Sequence, residues 1–487
     1  MDITPWTLAK LIIPKLPLIF RLMITNRLGL SSCSDRQDPR TEIVVAIIRS
    51  SLDVSKPLGE IQAPGLRDPG VKGQLWVATA KCPAPDSAVR DAVIRGIKEL
   101  GDGTETYDLP SVADVEGEWT GHRAGVDKKA PRPHLSTEKE HYDSLMKEVT
   151  SPVTILYFHG GAYFVMDPIS HRAVTSALAK KTGGRCFSVR YRLAPQTAFP
   201  GQLIDALTTY LYLQYPPPGS FHEPVKASDI VFAGDSAGGH LSFGLLLLIL
   251  TLRRAGVTSI PYHGRDVPLE LPGGVTGNSP WVDICRSLPS VNRNAKYDYL
   301  DPPSATGLPA RSLPDDEIWP TKPPRAEIFC RASTMTHPLG SPLAASPELW
   351  QGAPPIFICT GNEGLEDEDV VLARRLYQAG AAVEFVGYEG QPHCFGMIFP
   401  TTPIGIDCFG RWAAFAKSAV GGTVERKDEG QWCIAKSNPL KWRPVKLGEM
   451  GVDDELVRKR MNEMKGHAVE REAEKVREYE KDNRAKL

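Results

Sequence analysis

A run of β-formers, Ile230-Val231-Phe232-Ala233, leads straight into Gly234-Asp235-Ser236-Ala237-Gly238-Gly239 and then into the apolar stretch 241–252. This reads as strand, sharp turn and buried helix, the context in which G-x-S-x-G makes a nucleophile elbow. The turn holds the serine in a strained backbone. Gly234 and Gly238, without a Cβ, let the strand and helix close around it. Ser236 then stands at a helix N-terminus, its Oγ exposed and backbone N–H groups facing any developing negative charge. In an arbitrary loop the pattern would be weak. The competing reading is a glycine-rich helix entry that only packs tightly.

Two other loops acquire meaning from this one. Upstream, the strand 154–158 ends in His159-Gly160-Gly161-Ala162-Tyr163. Glycines there let the backbone turn N–H groups outward into an oxyanion hole, expected from Gly160 and Gly161 with Ala237. Downstream, the strand 355–360 ends at Gly361-Asn362-Glu363-Gly364-Leu365-Glu366-Asp367, and a helix over 370–379 follows. The last predicted strand, 383–386, precedes Gly390-Gln391-Pro392-His393-Cys394-Phe395-Gly396. His393 is the candidate base, since it follows the last strand in a Gly/Pro turn; the bland alternative is a surface turn histidine. His159 is read as a loop support, Asp235 as structural beside the elbow and Cys394 as packing.

The 487 residues suffice for one large α/β domain with additions or for two domains. Apolar content of 41% and charged content of 24% are those of a globular protein, and a net charge of -1 gives no global attraction to nucleic acid. The nine cysteines are scattered, odd in number and without a CxxC pair. They read as reduced thiols of an intracellular protein, cytoplasmic or peripheral on a membrane such as the endoplasmic reticulum. No His/Cys cluster has metal-ligand spacing, so no metal or other cofactor is expected.

Residues 6–30 are rich in Leu, Ile and Phe, interrupted by Lys10, Lys15, Arg21 and Arg27, with Pro14 and Pro17 breaking helical continuity. No uncharged run reaches the ~18 residues of a membrane span. The segment also makes a poor signal peptide. Two readings stand side by side: peripheral contact with a membrane surface, or a helix covering the mouth of the site. Residues 42–52 predict an amphipathic helix, 74–78 and 117–120 strands, and 91–100 a helix. Residues 286–349 are Pro-, Asp- and Ser-rich without clear periodicity, as in a lid or loose insertion. Residues 453–486 are dense in Glu, Lys and Arg and read as an exposed, partly helical or disordered extension. The expected division is an N-terminal cap or membrane-surface segment over 1–72, a hydrolase domain over 73–420 with a cap insertion at about 286–349, and a charged tail over 421–487.

His159-Gly160-Gly161, Tyr191-Arg192-Leu193-Ala194-Pro195, Gly234-Asp235-Ser236-Ala237-Gly238-Gly239 and Ser279-Pro280-Trp281-Val282-Asp283 together resemble the hormone-sensitive-lipase family of α/β-hydrolases. The resemblance covers about 152–416. It implies a mostly parallel eight-stranded sheet with helices on both faces, and a cap built from the N-terminal segment plus the insertion. It also implies the triad order serine, acid, histidine, with the acid and the histidine on the loops at 361–367 and 390–396. Similar enzymes carry Asp-Pro-Leu-x-Asp after the penultimate strand. Here Glu363-Gly364-Leu365-Glu366-Asp367 stands in register, so Glu363 takes the place of the acid and Asp367 is the runner-up.

The expected activity is hydrolysis of a lipophilic or small acylated ester through an acyl-enzyme, with Ser236 as nucleophile, His393 as base and Glu363 as orienting acid. The partners are a small-molecule or lipid ester and no nucleic acid. Two alternatives remain: a catalytically inactive ligand-binding relative, and an amidase or deacetylase on the same triad.

Overall fold

Strands and helices alternate along most of the chain, and in a computed structural model covering residues 12–52, 56–302 and 313–484 the strands gather into one large sheet. The strands are β1 (Leu75–Cys82), β2 (Val115–His122), β3 (Thr154–Phe158), β4 (Arg185–Arg190), β5 (Ile230–Asp235), β6 (Gly274–Asn278), β7 (Ile356–Gly361), β8 (Val383–Tyr388), β9 (Gly430–Cys433) and β10 (Trp442–Val445). They lie in the order β1-β2-β4-β3-β5-β6-β7-β8-β9-β10. Pairing is parallel from β4 to β9 and antiparallel at both margins. A small hairpin, Ser259–Tyr262 with Arg265–Pro268, stands apart.

A parallel sheet needs both faces covered, and its inner strands are accordingly apolar throughout. Every residue of β3, β5 and β7 is buried. Ile230 and Phe232 join the apolar cluster that contains Leu245 and Leu248 of the helix Ala237–Arg254. Val231 and Ala233 point the other way, toward Val174 and Leu178 of the helix Pro168–Thr182 and Trp412 and Phe415 of the helix Pro403–Val420. The register pairs Phe158 with Gly234, Asp235 with Asn278, Asn278 with Cys359 and Gly361 with Tyr388. The ends of β3, β5, β6, β7 and β8 therefore meet at one edge, and the loops that matter all leave from it.

Two expectations are corrected. The eight strands from β1 to β8 match the expected sheet, but within the expected exposed, partly helical or disordered tail the described residues 421–484 are ordered against the domain: β9 and β10 extend the sheet. The helix Asp454–Arg484 then packs back, burying Val457, Met461 and Ala468. Asp454 pairs with Arg374 at 2.7 Å and Arg375 at 2.8 Å. Glu472 Oε2 accepts the N–H groups of Ala326 at 2.9 Å and Ala332 at 3.2 Å. Secondly, the beginning of 286–349 is no free lid: residues 290–299 press on the loops after β7 and β8. Residues 303–312 lie outside the described part.

At the N-terminus the helices Leu16–Arg27 and Pro39–Arg49 pack together. The second starts at Asp38, whose side chain accepts the Thr41 N–H at 2.9 Å. Residues 6–11 of the expected membrane segment lie outside the described part. Among the described residues no helix is long and apolar enough to cross a membrane.

Candidate active site

β5 delivers the chain into the elbow, where Ser236 has φ 53 and ψ -120. A side chain sits at such an angle only where its surroundings impose it. The glycines on either side show the constraint. A Cβ on Gly234 would lie 2.2 Å from the Gly238 carbonyl carbon, and one on Gly238 would lie 1.9 Å from Phe158 O. The Ser236 N–H donates to Asn278 O at 3.1 Å, and its carbonyl accepts from the N–H groups of His240 and Trp281, both at 3.0 Å. The backbone is pinned on both sides. From Ile230 to Leu252, Ser236 is the one residue that is not buried.

β7 and β8 deliver the other two candidates. Glu363 Oε1 lies 2.9 Å from His393 Nδ1. Its other oxygen, Oε2, accepts the Ser279 hydroxyl at 2.7 Å and the Gly361 N–H at 3.2 Å. Glu363 is fully enclosed, and His393 nearly so. A carboxylate in that position makes Nδ1 the donor and leaves Nε2 free to accept a proton. Burial works against a charged His393. The Glu363 carboxylate outweighs it by charge and hydrogen bond, with Asp298 and Asp235 adding, so its pKa is raised above the ordinary 6.5.

Among the described residues no hydrogen bond joins the Ser236 hydroxyl to His393; the neighbour of Nε2 is Cys394 Sγ at 3.5 Å. The structure thus joins acid and histidine directly and sets the serine on the same sheet edge. Bonds of this kind are commonly long before substrate arrives. Asp367 is turned elsewhere. It accepts the Ser290 N–H at 2.8 Å and pairs with Arg293 at 2.7 Å.

The Gly160 N–H, expected in the oxyanion hole, donates to Asp235 Oδ1 at 3.2 Å. The same oxygen takes the Tyr157 hydroxyl at 2.5 Å, and His171 Nε2 lies 3.3 Å away. Asp235 thereby ties β3 to the elbow. Among the described residues, no acceptor is recorded for the N–H of Gly161 or of Ala237. Gly161 has φ 104, and a Cβ there would meet Val165 O at 2.2 Å. His159 stacks on Tyr191 at 4.2 Å, and burial, with His171 nearby, pushes its pKa down to about 4. It supports the loop and stays neutral.

Beside the elbow, Tyr163 stacks on Phe329 at 4.0 Å and meets His240 edge-on at 5.3 Å. Trp281 stands 6.5 Å from Tyr163. A depression of about 410 Å³, bounded by Leu66, His159, Met166, Arg190 and Leu193, touches none of the three candidates. Among the described residues no group of three or more His, Cys, Asp or Glu is arranged to hold a metal ion.

Residues 155–397 match the family model of the alpha/beta hydrolase fold. An acetyl-hydrolase of Streptomyces hygroscopicus is 30% identical over 272 residues, 55% of this chain and 76% of that protein. The chain belongs to the α/β-hydrolase family. An esterase of Acinetobacter venetianus is 26% identical over 58% of this hydrolase and 77% of its own length. Among solved structures, an esterase from the bacterial hormone-sensitive lipase family superposes with a TM-score of 0.51 at 22% identity, covering 79% of this hydrolase and 99% of that chain. That likeness speaks to the fold.

Two supports of the hydrolase site escape sequence reasoning. Ser279 donates to Glu363 and accepts the Cys394 N–H at 3.1 Å, linking both loops. Its sequence signal is Ser279-Pro280-Trp281-Val282-Asp283, a family likeness that by itself assigns Ser279 no contact. Asp298 accepts the His393 N–H at 3.1 Å and the Gly364 N–H at 2.8 Å. Nothing in its local sequence distinguishes it.

Proposed function

We propose that this α/β-hydrolase cleaves carboxylic esters through a serine acyl-enzyme. Ser236 attacks the ester carbonyl while His393 Nε2 takes its proton. Glu363 holds the imidazole in the required tautomer and stabilises the imidazolium. The N–H groups of Gly161 and Ala237 receive the oxyanion; Gly160 has no part in it, because Asp235 holds its N–H. His393 then protonates the leaving alcohol, and water activated by the same nitrogen releases the acid. The observation that carries this reading is the enclosed Glu363–His393 bond of 2.9 Å on the edge where Ser236 takes its positive φ.

Two relatives bear the names acetyl-hydrolase and ethyl acetate hydrolase. With the Tyr163, Phe329 and Trp281 rings beside the elbow, they support a small acyl group on a lipophilic partner as the substrate class. The chain keeps Ser236, Glu363 and His393, with Glu363 2.9 Å from His393 Nδ1, which weighs against an inactive ligand-binding relative. The test is hydrolysis of a p-nitrophenyl ester series by the purified protein and by Ser236→Ala. The reading expects the shortest acyl chains to react fastest and the variant to lose activity while keeping its fold. Activity retained by Ser236→Ala contradicts it.

A further inference from the structure

Ile13, Leu16, Phe20, Ile24 and Leu28 follow one another at intervals of three and four, so they share one face of the helix Leu16–Arg27 and the turns that flank it. They are 61%, 39%, 59%, 57% and 65% exposed, and Leu30 beyond them is 74% exposed. Single exposed apolar residues are ordinary, but a continuous stripe marks a docking surface. The opposite side is anchored: Leu18, Ile19, Leu22 and Met23 are half-buried, and the buried Asn26 donates to Gln37 O at 3.1 Å.

Charge selects the occupant. From Ile3 to Ser34 the sequence has no acid, while Lys10, Lys15, Arg21 and Arg27 are basic. Among the described residues Lys15 bonds to neutral oxygens only, at Ile47 O and the hydroxyls of Ser50 and Ser51. Among the described residues Arg21 and Arg27 have no ion pair. Two copies of this face would bring like charges together. The helix Leu16–Arg27 has 12 residues, about 18 Å at 1.5 Å per residue, too short for a hydrocarbon core of about 30 Å. An apolar stripe beside uncompensated cations suits the plane of an anionic bilayer.

We propose that this face docks on an anionic lipid surface and presents the substrate edge of the sheet to it. The link is short and rigid. Arg36 donates to Asn362 Oδ1 at 2.8 Å, and that oxygen also accepts the Gly390 N–H at 2.8 Å. Gln37 Nε2 donates to Gly390 O at 2.9 Å and Tyr297 O at 2.7 Å. The connection leaving the helix is thus fastened to the loops that hold Glu363 and His393. Docking stands by itself; its benefit to ester access rests on the proposed function.

The experiment is co-sedimentation of the full chain with vesicles of phosphatidylcholine alone and with phosphatidylserine added, repeated with Ser236→Ala so that binding is read independently of hydrolysis. The proposal expects binding to the anionic vesicles and its weakening by salt. Arg21→Gln with Arg27→Gln should lower partitioning on the order of 10- to 100-fold. Phe20→Ser with Ile24→Ser should abolish it, while turnover of a soluble p-nitrophenyl ester stays unchanged and shows that each variant is folded. Deleting residues 1–11 should leave binding in place. Binding to neither vesicle, or equal binding by the Phe20/Ile24 variant, overturns the proposal. So does binding that appears only after 1–11 are removed, which makes that segment the occupant. A dimer in solution that Phe20→Ser with Ile24→Ser dissociates makes a second copy the occupant instead.

Discussion

Glu363 reaches His393 with Oε1 at 2.9 Å while its Oε2 is held by Ser279 and Gly361. In the proposed function this glutamate takes the role that the family resemblance gives to a shorter aspartate, and Gly364 beside it lacks proline's fixed φ. Glu363→Gln should keep the fold and lower kcat by several orders of magnitude, because the lost charge no longer stabilises the imidazolium. Asp367→Asn should reduce kcat far less, since Asp367 faces Arg293 and Ser290. Steady-state kinetics of the two variants, with circular dichroism as a fold control, decide it. The reverse ranking would make Asp367 the acid.

The pH profile follows from the same pair. The base is active when neutral, so kcat/KM rises as pH climbs through the His393 pKa. Glu363 and Asp298 raise that pKa above 6.5 against burial, so the acid limb should have its midpoint above 6.5. Asp298→Asn should move the midpoint to lower pH, since a nearby negative charge that favours the imidazolium is gone. A limb that stays in place would remove Asp298 from the electrostatics of His393.

Ser279→Ala isolates positioning from chemistry. It removes one donor from Glu363 and one acceptor from the Cys394 N–H. A group left unsatisfied in the interior costs about 1–3 kcal/mol. Thermal unfolding should show a loss of that size, and kcat should fall while KM changes little. Ser279→Thr should restore part of kcat by returning a hydroxyl.

The elbow tolerates no side chain at Gly238, where a Cβ would press on the backbone of Phe158 at 1.9 Å. Gly238→Ala should give protein that is inactive or insoluble. At Gly410, inside the helix Pro403–Val420, a Cβ meets nothing within 4 Å. Gly410→Ala should be neutral or stabilising by about 0.5–1 kcal/mol in denaturant unfolding.

Much of this site could be read from sequence because its signals are local. The strand, glycine pair and apolar run around Ser236 announce an elbow without reference to the rest of the chain. His393 follows from its place in a Gly/Pro turn after the last strand, whereas Glu363 rather than Asp367 follows only from register with the family's Asp-Pro-Leu-x-Asp pattern. What stayed hidden depends on contacts through space. Asp298 lies in an irregular segment and meets both loops only in the folded protein. The Gly160 N–H donates to Asp235, 75 residues away, a contact that no local pattern announces. The C-terminal helix shows only three buried positions, Val457, Met461 and Ala468, among many charges. So narrow a stripe reads as a solvated helix until its partner surface is known.

A serine-directed fluorophosphonate tests the central claim most directly, since it requires an activated hydroxyl and leaves a mass tag on it. Peptide mapping after labelling should place the adduct on Ser236, with labelling greatly slowed in His393→Ala and absent in Ser236→Ala. A well-folded protein that takes no label, or takes it at another serine, would contradict the account.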